Sequence, residues 1–236
     1  MLQSALVINL DRRPDRLAAV MKYYTDSDLA SVPVYRLPAH DGSKITYTNG
    51  LVTPTAVAEL EQLKFKGVRD FHAQLSVGAI GCYLSHVDAW RWVAEHGAAH
   101  PDQPYLILED DARIPPKAMD AIQTGWALAM EESAGKPFLL LGHIICLAGC
   151  GVLSNGLVAP ERFWSFQAYF LNAKTASALL SMGLFPMDVQ IDSQVLYFRN
   201  MGLLNIYWYD IMVSGPTDTD IQVSIRRNAP LDRFIV

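Results

Sequence analysis

Short apolar runs alternate along the chain with longer stretches in which apolar residues recur at helical spacing. The runs typical of buried strands lie at residues 4–10, 32–38, 105–109, 136–143, 164–172 and 205–210. The stretches with helical spacing lie at residues 13–24, 53–65, 76–97, 115–132, 173–183 and 192–200. Because strands and helices repeat their apolar positions with different periods, the pattern predicts strands that alternate with helices.

That alternation predicts an α/β fold with a mostly parallel central sheet flanked by helices, in one domain over residues 1–236. Residues at the predicted helix ends support the boundaries: Asp11 and Ser76 as N-terminal caps, Pro14 in a first turn and Gly97 as a stop. In sheets of this kind, ligands bind beyond the carboxyl ends of the strands. Polar clusters follow several predicted strands, at residues 9–16, 36–42, 109–111 and 142–143. We therefore expect a binding site along this edge.

The composition is that of a globular protein, with 51% hydrophobic residues, 18% charged residues and a net charge of −5. Without a dense basic tract, nucleic acid is not expected as a partner, whereas a divalent cation is compatible with the charge. No apolar run is long enough to cross a bilayer, and residues 1–13 lack the pattern of a secretory signal. Cys82, Cys146 and Cys150 are too few for a disulfide framework and make a poor zinc set. We expect a cytoplasmic protein with reduced cysteines.

Three consecutive acids, Glu109, Asp110 and Asp111, end the third predicted strand. Like charges repel, and each carboxylate loses hydration beside an apolar strand, so a positive group is expected next to them. Carboxylate oxygens are the ligands that Mg²⁺ and Mn²⁺ favour. The residues alone leave two interpretations open: a metal site, or a solvated acidic turn stabilised by the dipole of a helix that begins at Pro115.

Basic residues follow the first predicted strand, where Arg12, Arg13 and Arg16 could bind a phosphate group through their guanidinium groups. The alternative for each arginine is an exposed place on the first turn of an amphipathic helix. Asn9 lies directly at the strand end, so its position is less free and contact with a ligand is favoured.

Small residues share one face of the longest predicted helix: Gly78, Gly81, Cys82, Ser85 and Ala89. A glycine inside a helix costs roughly 1 kcal/mol relative to alanine, so two of them indicate that a strand or a flat ligand approaches the helix backbone closely. His86 lies beside this face. A buried structural histidine and a ligand contact are both open for it.

Asp188 and Asp192 lie four positions apart around the predicted start of the last helix. The residues alone favour a capping role for one of them. The alternative is a general base that takes a proton from an attacking hydroxyl group.

Taken together, these segments resemble glycosyltransferase family 25, which includes lipopolysaccharide-extending sugar transferases and galactosyltransferases that act on collagen hydroxylysine. The matching segments run in order to about residue 200: VINLDRRPDR, RLPAHDG, GAIGCYLSHVDAW, LILEDDARI, AYFLNAKTASALL and FPMDVQID. The specific part of the resemblance is the pair GAIGCYLSH and LEDDA. The remaining segments support it by their order.

The resemblance implies a nucleotide-binding fold of the GT-A type and a metal-dependent, inverting transfer of a sugar from a nucleotide sugar, usually a UDP-sugar. It implies an Mn²⁺ or Mg²⁺ ion held by Asp111 and Asp110. The residues that would contact the donor are Asn9, Arg12, Arg36, Asp41, Ser85, Glu109 and Asp110. Asp192, or else Asp188, would be the catalytic base. The acceptor would be a hydroxyl group of a glycan, a lipid-linked glycan or a protein, with peripheral membrane contact in the lipid-linked case.

The carboxyl-terminal part departs from the family pattern. Residues 214–227 keep Pro216, Gln222 and Ser224 loosely, and Asp218 and Asp220 are unusual there. Aromatic residues at Trp164 and at positions 205–210 could stack on a sugar or belong to the core. Their place is open from the sequence.

Two other functions remain open. One is a catalytically silent module that binds a nucleotide or a glycan, which the intact acidic triplet disfavours. The other is a different nucleotide-handling enzyme, such as a nucleotidyltransferase. Its usual glycine-rich basic loop is missing after the first predicted strand, and this disfavours it.

Overall fold

An eight-stranded sheet organises the fold in this computed structural model, which describes residues 2–142, 151–163 and 165–213. The strands are β1 Ser4–Asn9, β2 Val34–Pro38, β3 Tyr105–Glu109, β4 Pro137–Gly142, β5 Gly151–Val152, β6 Val158–Ala159, β7 Ala168–Leu171 and β8 Asn205–Val213. The helices are α1 Pro14–Thr25, α2 Pro54–Lys66, α3 Val77–His96, α4 Met119–Glu132, α5 Ala173–Leu180 and α6 Ile191–Asn200.

The strand order is β2-β1-β3-β7-β4-β8-β6-β5. β1 is parallel to β2 and β3, β4 is parallel to β8, and β7 is antiparallel to both β3 and β4. β2, β1, β3, β4 and β8 therefore run in one direction, with β7 reversed among them. The predicted α/β class with a mostly parallel, helix-flanked sheet is confirmed. The hairpin of β5 and β6 was not predicted, because strands of two residues are too short to show a period.

Both faces of the central strands are buried. Alternate residues of each central strand enter one of two apolar clusters, as Leu6 and Ile8 do on one face and Ala5 and Val7 on the other. Helices α2, α3, α5 and α6 contribute to the first cluster, and α1 and α4 contribute to the second. Burial on both faces explains why these strands read as continuous apolar runs rather than as alternating ones.

The helix ends follow the sequence in several places. Ser76 caps α3 by accepting a hydrogen bond from the backbone N–H of Ala79 at 3.1 Å, and Gly97 ends that helix. Pro14 is the first residue of α1. The predicted cap Asp11 is wrong, because Arg13 occupies the N-cap position and the Asp11 carboxylate instead lies 2.5 Å from the Arg36 guanidinium group.

The fourth helix begins at Met119, not at Pro115 as predicted. Its N-terminus is satisfied from a distant loop, where the Asp28 carboxylate accepts hydrogen bonds from the backbone N–H groups of Ala118 and Met119 at 3.0 and 3.1 Å. Sequence spacing could not show this contact, since the two segments are 90 residues apart in the chain.

Several predicted features lie outside the described residues: His143, Cys146, Cys150, Trp164 and the segment 214–227 with Pro216, Asp218, Asp220, Gln222 and Ser224. The aromatic residues of β8 belong to the core: Tyr207 is buried, and Trp208 and Tyr209 are partly buried against the two apolar clusters. Among the helices of the described ranges, none combines the length and hydropathy that a membrane span requires.

Candidate active site

Two adjoining cavities open along the edge of the sheet where β1, β2 and β3 end. The first, of about 290 Å³, is lined by the ends of β1 and β3, the loop after β2 and the start of α3. The second, of about 190 Å³, is lined by the end of β3, the segment before β7 and the start of α6. Cys82, Glu109 and Asp111 line both cavities, so they form a shared wall. The first cavity lies beyond the ends of parallel strands, where a binding site was predicted. The strand β1 lies there between its parallel neighbours β2 and β3.

A partly buried arginine pairs with two acids of the triplet. The Arg16 guanidinium nitrogen Nη2 is 2.7 Å from Asp110 Oδ1 and 3.3 Å from Asp111 Oδ2. The expected positive group is therefore Arg16, from the first turn of α1. The alternative of a solvated acidic turn is wrong, because Asp110 and Asp111 are only 8% and 5% exposed. They follow directly from a strand that is buried on both faces.

Asp111 keeps one oxygen without a protein partner. Its Oδ1 is buried and accepts no hydrogen bond, while Oδ2 is paired with Arg16. The pKa of Asp111 is raised to about 7, first by burial and second by the negative charge of Glu109. The positive charge of Arg16 lowers this pKa and offsets the two effects only in part. A buried carboxylate with an unsatisfied oxygen suits a bound cation, since a cation would supply the missing partner.

Asp110 is more fully occupied than Asp111. Its Oδ2 accepts a hydrogen bond from Asn9 Nδ2 at 2.7 Å, and its Oδ1 is paired with Arg16. Burial raises the pKa of Asp110, while the Asn9 hydrogen bond and Arg16 lower it. Of the two predicted metal ligands, the structure leaves Asp111 better placed, because Asp110 would have to give up an existing partner.

Asn9 and Arg36 lie behind the cavity wall. Asn9 is buried, donates to the backbone oxygen of Arg13 at 2.9 Å, and accepts from Arg36 Nε at 3.1 Å through its Oδ1. Neither residue lines either cavity. Both were predicted to contact the donor, and the structure instead places them where they hold Asp110 and the end of β1.

Arg12 and Asp41, both expected to contact the donor, lie at the wall of the first cavity. Arg12 Nε is 3.3 Å from Asp41 Oδ2. The Asp41 carboxylate also accepts a hydrogen bond from the Ser43 hydroxyl at 2.7 Å, and this bond is the main reason why the pKa of Asp41 is lowered. The pair brings a half-exposed guanidinium group to the cavity.

The small face of α3 accommodates the loop after β2. Ser85 Oγ accepts a hydrogen bond from the backbone N–H of His40 at 2.9 Å and donates to the backbone oxygen of Gly81 at 2.7 Å. A Cβ atom at Gly81 would lie 2.4 Å from the backbone oxygen of His40, and one at Gly42 would lie 1.8 Å from that of Val77. The close approach predicted for this face is confirmed, and the partner is a loop that lines the first cavity.

A second group of possible ligands lies at the shared wall. One ligand atom each from Cys82, His86 and Glu109 lies within 4.8 Å of the others. Burial, and next the charge of Glu109, raise the pKa of the Cys82 thiol well above its usual value, so the thiol stays protonated. A thiol is a soft ligand, whereas Mg²⁺ and Mn²⁺ favour carboxylate oxygens. Glu109 therefore fits a hard divalent ion, together with Asp111, better than Cys82 does.

The two candidate bases differ in position. Asp192 lies in the first turn of α6 and lines the second cavity, and its carboxylate accepts hydrogen bonds from the backbone N–H groups of Ser193 and Ser165 at 2.7 and 3.3 Å. Burial raises the pKa of Asp192. Asp188 does not line either cavity and accepts a hydrogen bond from the Thr53 hydroxyl.

The capping role that the residues alone favoured for these aspartates is wrong. Helix α6 begins at Ile191, so Gln190 occupies its N-cap position. The Gln190 side chain forms no capping hydrogen bond. Asp192 is thus already inside the helix, and Asp188 precedes the cap.

Several residues of the second cavity were not predicted: Arg69, Ser165, Gln167 and Gln190. They come from separate segments that meet only because β7 runs antiparallel beside β3 and α6 begins near it. Among them, Gln190 is held by the backbone oxygens of His72 and Gln74 at 2.8 and 3.0 Å. No spacing or motif in the sequence indicates these contacts.

Comparison with known proteins gives a family match over much of the chain. Residues 2–141 match the family model described as glycosyltransferase family 25 (LPS biosynthesis protein). That range contains every residue that lines the first cavity, whereas the residues of the second cavity from Ser165 onward lie outside it.

Curated relatives and solved structures were also found. A "Glycosyltransferase 25 family member" of Anopheles gambiae is 32% identical over 112 residues, which is 47% of this chain and 17% of the relative. A protein of the same description from Drosophila melanogaster is 30% identical over 178 residues, which is 63% of this chain and 27% of the relative. The chain thus spans less than a third of the length of these relatives.

Among solved structures, the UTP-bound UGPase from Acinetobacter baumannii has a TM-score of 0.45 at 11% identity, covering 90% of this chain and 87% of that one. A crystal structure of 4-diphosphocytidyl-2C-methyl-D-erythritol synthase has a TM-score of 0.39 at 11% identity, covering 92% of this chain and 91% of that one.

Proposed function

The chain belongs to glycosyltransferase family 25, and on that basis we propose that it transfers a hexose from a UDP-sugar to a hydroxyl group of an acceptor, with inversion and with the help of a divalent ion. The observation that carries this proposal is the wall of Glu109 and Asp111 between two cavities. A transferase needs two substrates to meet at one point, and this wall provides such a point.

The donor would occupy the first cavity. Arg12 and Arg16 bring positive charge to it, and Asp41 and Ser85 lie at its wall. Guanidinium groups bind phosphate oxygens well, so these arginines suit the diphosphate. The cavity ends at the acids, which would place the phosphates and the sugar next to the shared wall.

The divalent ion, Mn²⁺ or Mg²⁺, would be held by Asp111 and Glu109, with Asp110 contributing if its pairing with Arg16 loosens. The test of fit is the buried Oδ1 of Asp111, which has no partner in the protein. When bound, such an ion neutralises the charge that develops on the leaving diphosphate. Arg16 would contribute to the same neutralisation from the side of α1.

The acceptor hydroxyl would enter from the second cavity, on the other side of the wall. Asp192 lines that cavity, and its raised pKa suits a group that takes a proton from the hydroxyl as it attacks. Attack from the side opposite the leaving group inverts the anomeric carbon. The acceptor is a glycan, a lipid-linked glycan or a protein hydroxyl, and peripheral contact with a membrane belongs to the lipid-linked case only.

Binding and turnover together test the proposal. The melting temperature would be measured with UDP-, GDP- and CMP-sugars, each with and without Mn²⁺, and release of UDP would be followed with a panel of acceptors. We expect stabilisation by a UDP-sugar that requires Mn²⁺, together with slow hydrolysis or transfer. Stabilisation without turnover for any acceptor would favour the silent binding module instead, and the absence of both effects would refute the proposal.

A further inference from the structure

A line of hydrogen-bonded side chains leads from the core to the shared wall. Trp90 Nε1 is 2.9 Å from the Tyr169 hydroxyl oxygen, and this hydroxyl is 2.9 Å from His86 Nδ1. His86 Nε2 is in turn 3.1 Å from Glu109 Oε1. Trp90, Tyr169 and His86 are fully buried. Glu109 lines both cavities, and His86 also contributes to the wall of the first.

The direction of these hydrogen bonds follows from donor and acceptor chemistry. An indole nitrogen only donates, so the Tyr169 oxygen accepts from Trp90. Among the residues that the structure describes, the Tyr169 proton then has one acceptor at hydrogen-bond distance, His86 Nδ1, so His86 carries its own proton on Nε2. That proton is donated to Glu109 Oε1. In this arrangement every buried polar atom of the line has a partner.

Ring packing fixes the line in place. Phe138 stacks on Tyr169 with ring centroids 4.7 Å apart, and Phe166 meets the His86 ring edge-on at 5.5 Å. Neither ring can rotate without disturbing the core cluster to which these phenylalanines belong. The position of His86 Nε2 is therefore set by the core rather than by the cavity.

We propose that Trp90, Tyr169 and His86 act as positioning residues, and that they hold Glu109 Oε1 so that the other carboxylate oxygen is presented to the reactants at the shared wall. This inference rests on the proposed function. Among the described residues, Glu109 Oε2 accepts no hydrogen bond, so it is the oxygen that can meet a ligand. Fixing a ligating group before the substrate arrives matters for rate, because a misplacement of about 1 Å can cost on the order of a hundredfold.

Two substitutions of His86 separate positioning from simple packing. In His86→Gln, the side-chain amide can reach Glu109 in place of Nε2, while the bond to Tyr169 is lost. In His86→Asn, the shorter amide can replace Nδ1 toward Tyr169 but cannot reach Glu109. Both variants remove an imidazole from the same buried site, so we expect similar losses of stability.

The expected difference is in turnover. His86→Asn should lower kcat about a hundredfold, and His86→Gln about tenfold or less, with little change in KM for the nucleotide sugar. Equal kcat values in the two variants would overturn the inference. If the wild-type protein shows no transfer at all, the proposed function fails. The hydrogen-bonded line is then tested by the ¹⁵N-histidine spectrum described next.

A spectroscopic measurement on the wild-type protein tests the line without turnover. In protein labelled with ¹⁵N-histidine, the His86 signals should show a proton on Nε2 and none on Nδ1. Tyr169→Phe, which keeps the ring but removes the hydroxyl, should shift the Nδ1 signal and thereby assign it. A proton on Nδ1, or an Nδ1 signal that does not respond to Tyr169→Phe, would refute the proposed direction and the role of the line.

Discussion

At the scale of single residues, the acidic triplet contains three carboxylates with three different environments. Asp110 is engaged by Asn9 and Arg16, Glu109 is held by His86, and Asp111 retains a buried oxygen without a partner. The sequence could predict that these acids need a positive neighbour, because their adjacency is visible in it. It could not predict how Arg16 would divide its contacts, since that depends on how α1 crosses the strand ends.

The charge of Asp111 should make stability depend on pH. Its ordinary pKa of 3.8 is raised to about 7 in the folded protein, so between these values the folded chain holds a proton that the unfolded chain has lost. The free energy of unfolding therefore falls as pH rises through this window. Asp111→Asn removes the charge, so the free energy of unfolding of this variant should not fall in the same way. The difference between the variant and the wild type should therefore favour the variant more at about pH 8 than at about pH 5, by about 1 kcal/mol or more.

Urea unfolding of both proteins in metal-free buffer measures this difference. Asp15→Asn is the control, because the Asp15 carboxylate is exposed and its pKa is lowered by Arg13. It should show no comparable gain at high pH. A gap between Asp111→Asn and the wild type that is the same at both pH values would contradict the prediction. The same variant should also lose metal-dependent turnover.

The two candidate bases can be separated by matched substitutions. Asp192→Asn should lower kcat by about 10²- to 10⁴-fold with little effect on KM for the donor, since a general base contributes about that much. Asp188→Asn should leave kcat within severalfold, because Asp188 lines neither cavity. It should instead lower stability by about 1 kcal/mol, because an amide oxygen accepts the hydrogen bond from the Thr53 hydroxyl less strongly than a carboxylate does. Steady-state kinetics and urea unfolding of the pair would decide, and a loss of kcat in Asp188→Asn alone would reverse the assignment.

At the scale of elements, α3 combines several roles. Its first turn and its small face line the first cavity and receive the loop after β2, and its buried face carries the residues that lead to Glu109. Its boundaries were predictable because Ser76 and Gly97 are strong local signals. The direction of β7 was not, because a strand of four residues has no local property that shows whether its neighbours run parallel to it.

Gly81 tests the contact between α3 and the loop. Gly81→Ala would gain about 1 kcal/mol of helix propensity, but its Cβ would lie 2.4 Å from the backbone oxygen of His40. Overpacking against backbone costs about 1–3 kcal/mol or more, so a net loss of stability is expected. Displacement of the loop should also raise KM for the donor, because His40 and Asp41 line the first cavity.

The matched control for Gly81→Ala is Gly151→Ala, since a Cβ at Gly151 meets no atom within 4 Å. Urea unfolding and donor KM would be measured for both variants. Unchanged stability and unchanged KM in Gly81→Ala would show that the loop does not depend on this contact.

At the scale of the whole molecule, the sequence predicted one half of the candidate site better than the other. The first cavity follows from the rule that ligands bind beyond parallel strand ends: Glu109 is the last residue of β3, and Asp41 follows β2. The second cavity depends on segments that meet only through tertiary packing, with Arg69 before α3 and Gln190 before α6. Arg69, Ser165, Gln167 and Gln190 carry no local signal, unlike Asp192 and the acids of the shared wall, so only the fold could identify them.

The single domain predicted for residues 1–236 leads to a prediction about cooperativity. The two apolar clusters lie on opposite faces of the same strands, such as β1 and β3. A face that lost its helices would therefore expose alternate residues of strands that also support the other face. Hydrogen exchange would be followed by mass spectrometry on peptides from α3, which covers one face, and α4, which covers the other. Their most protected amides should exchange with opening free energies that agree within about 1 kcal/mol, as expected for one cooperative unit. A difference of more than about 2 kcal/mol would instead show that the helix layers open separately. In that case, binding of a nucleotide sugar to the first cavity should protect α3 more strongly than α4.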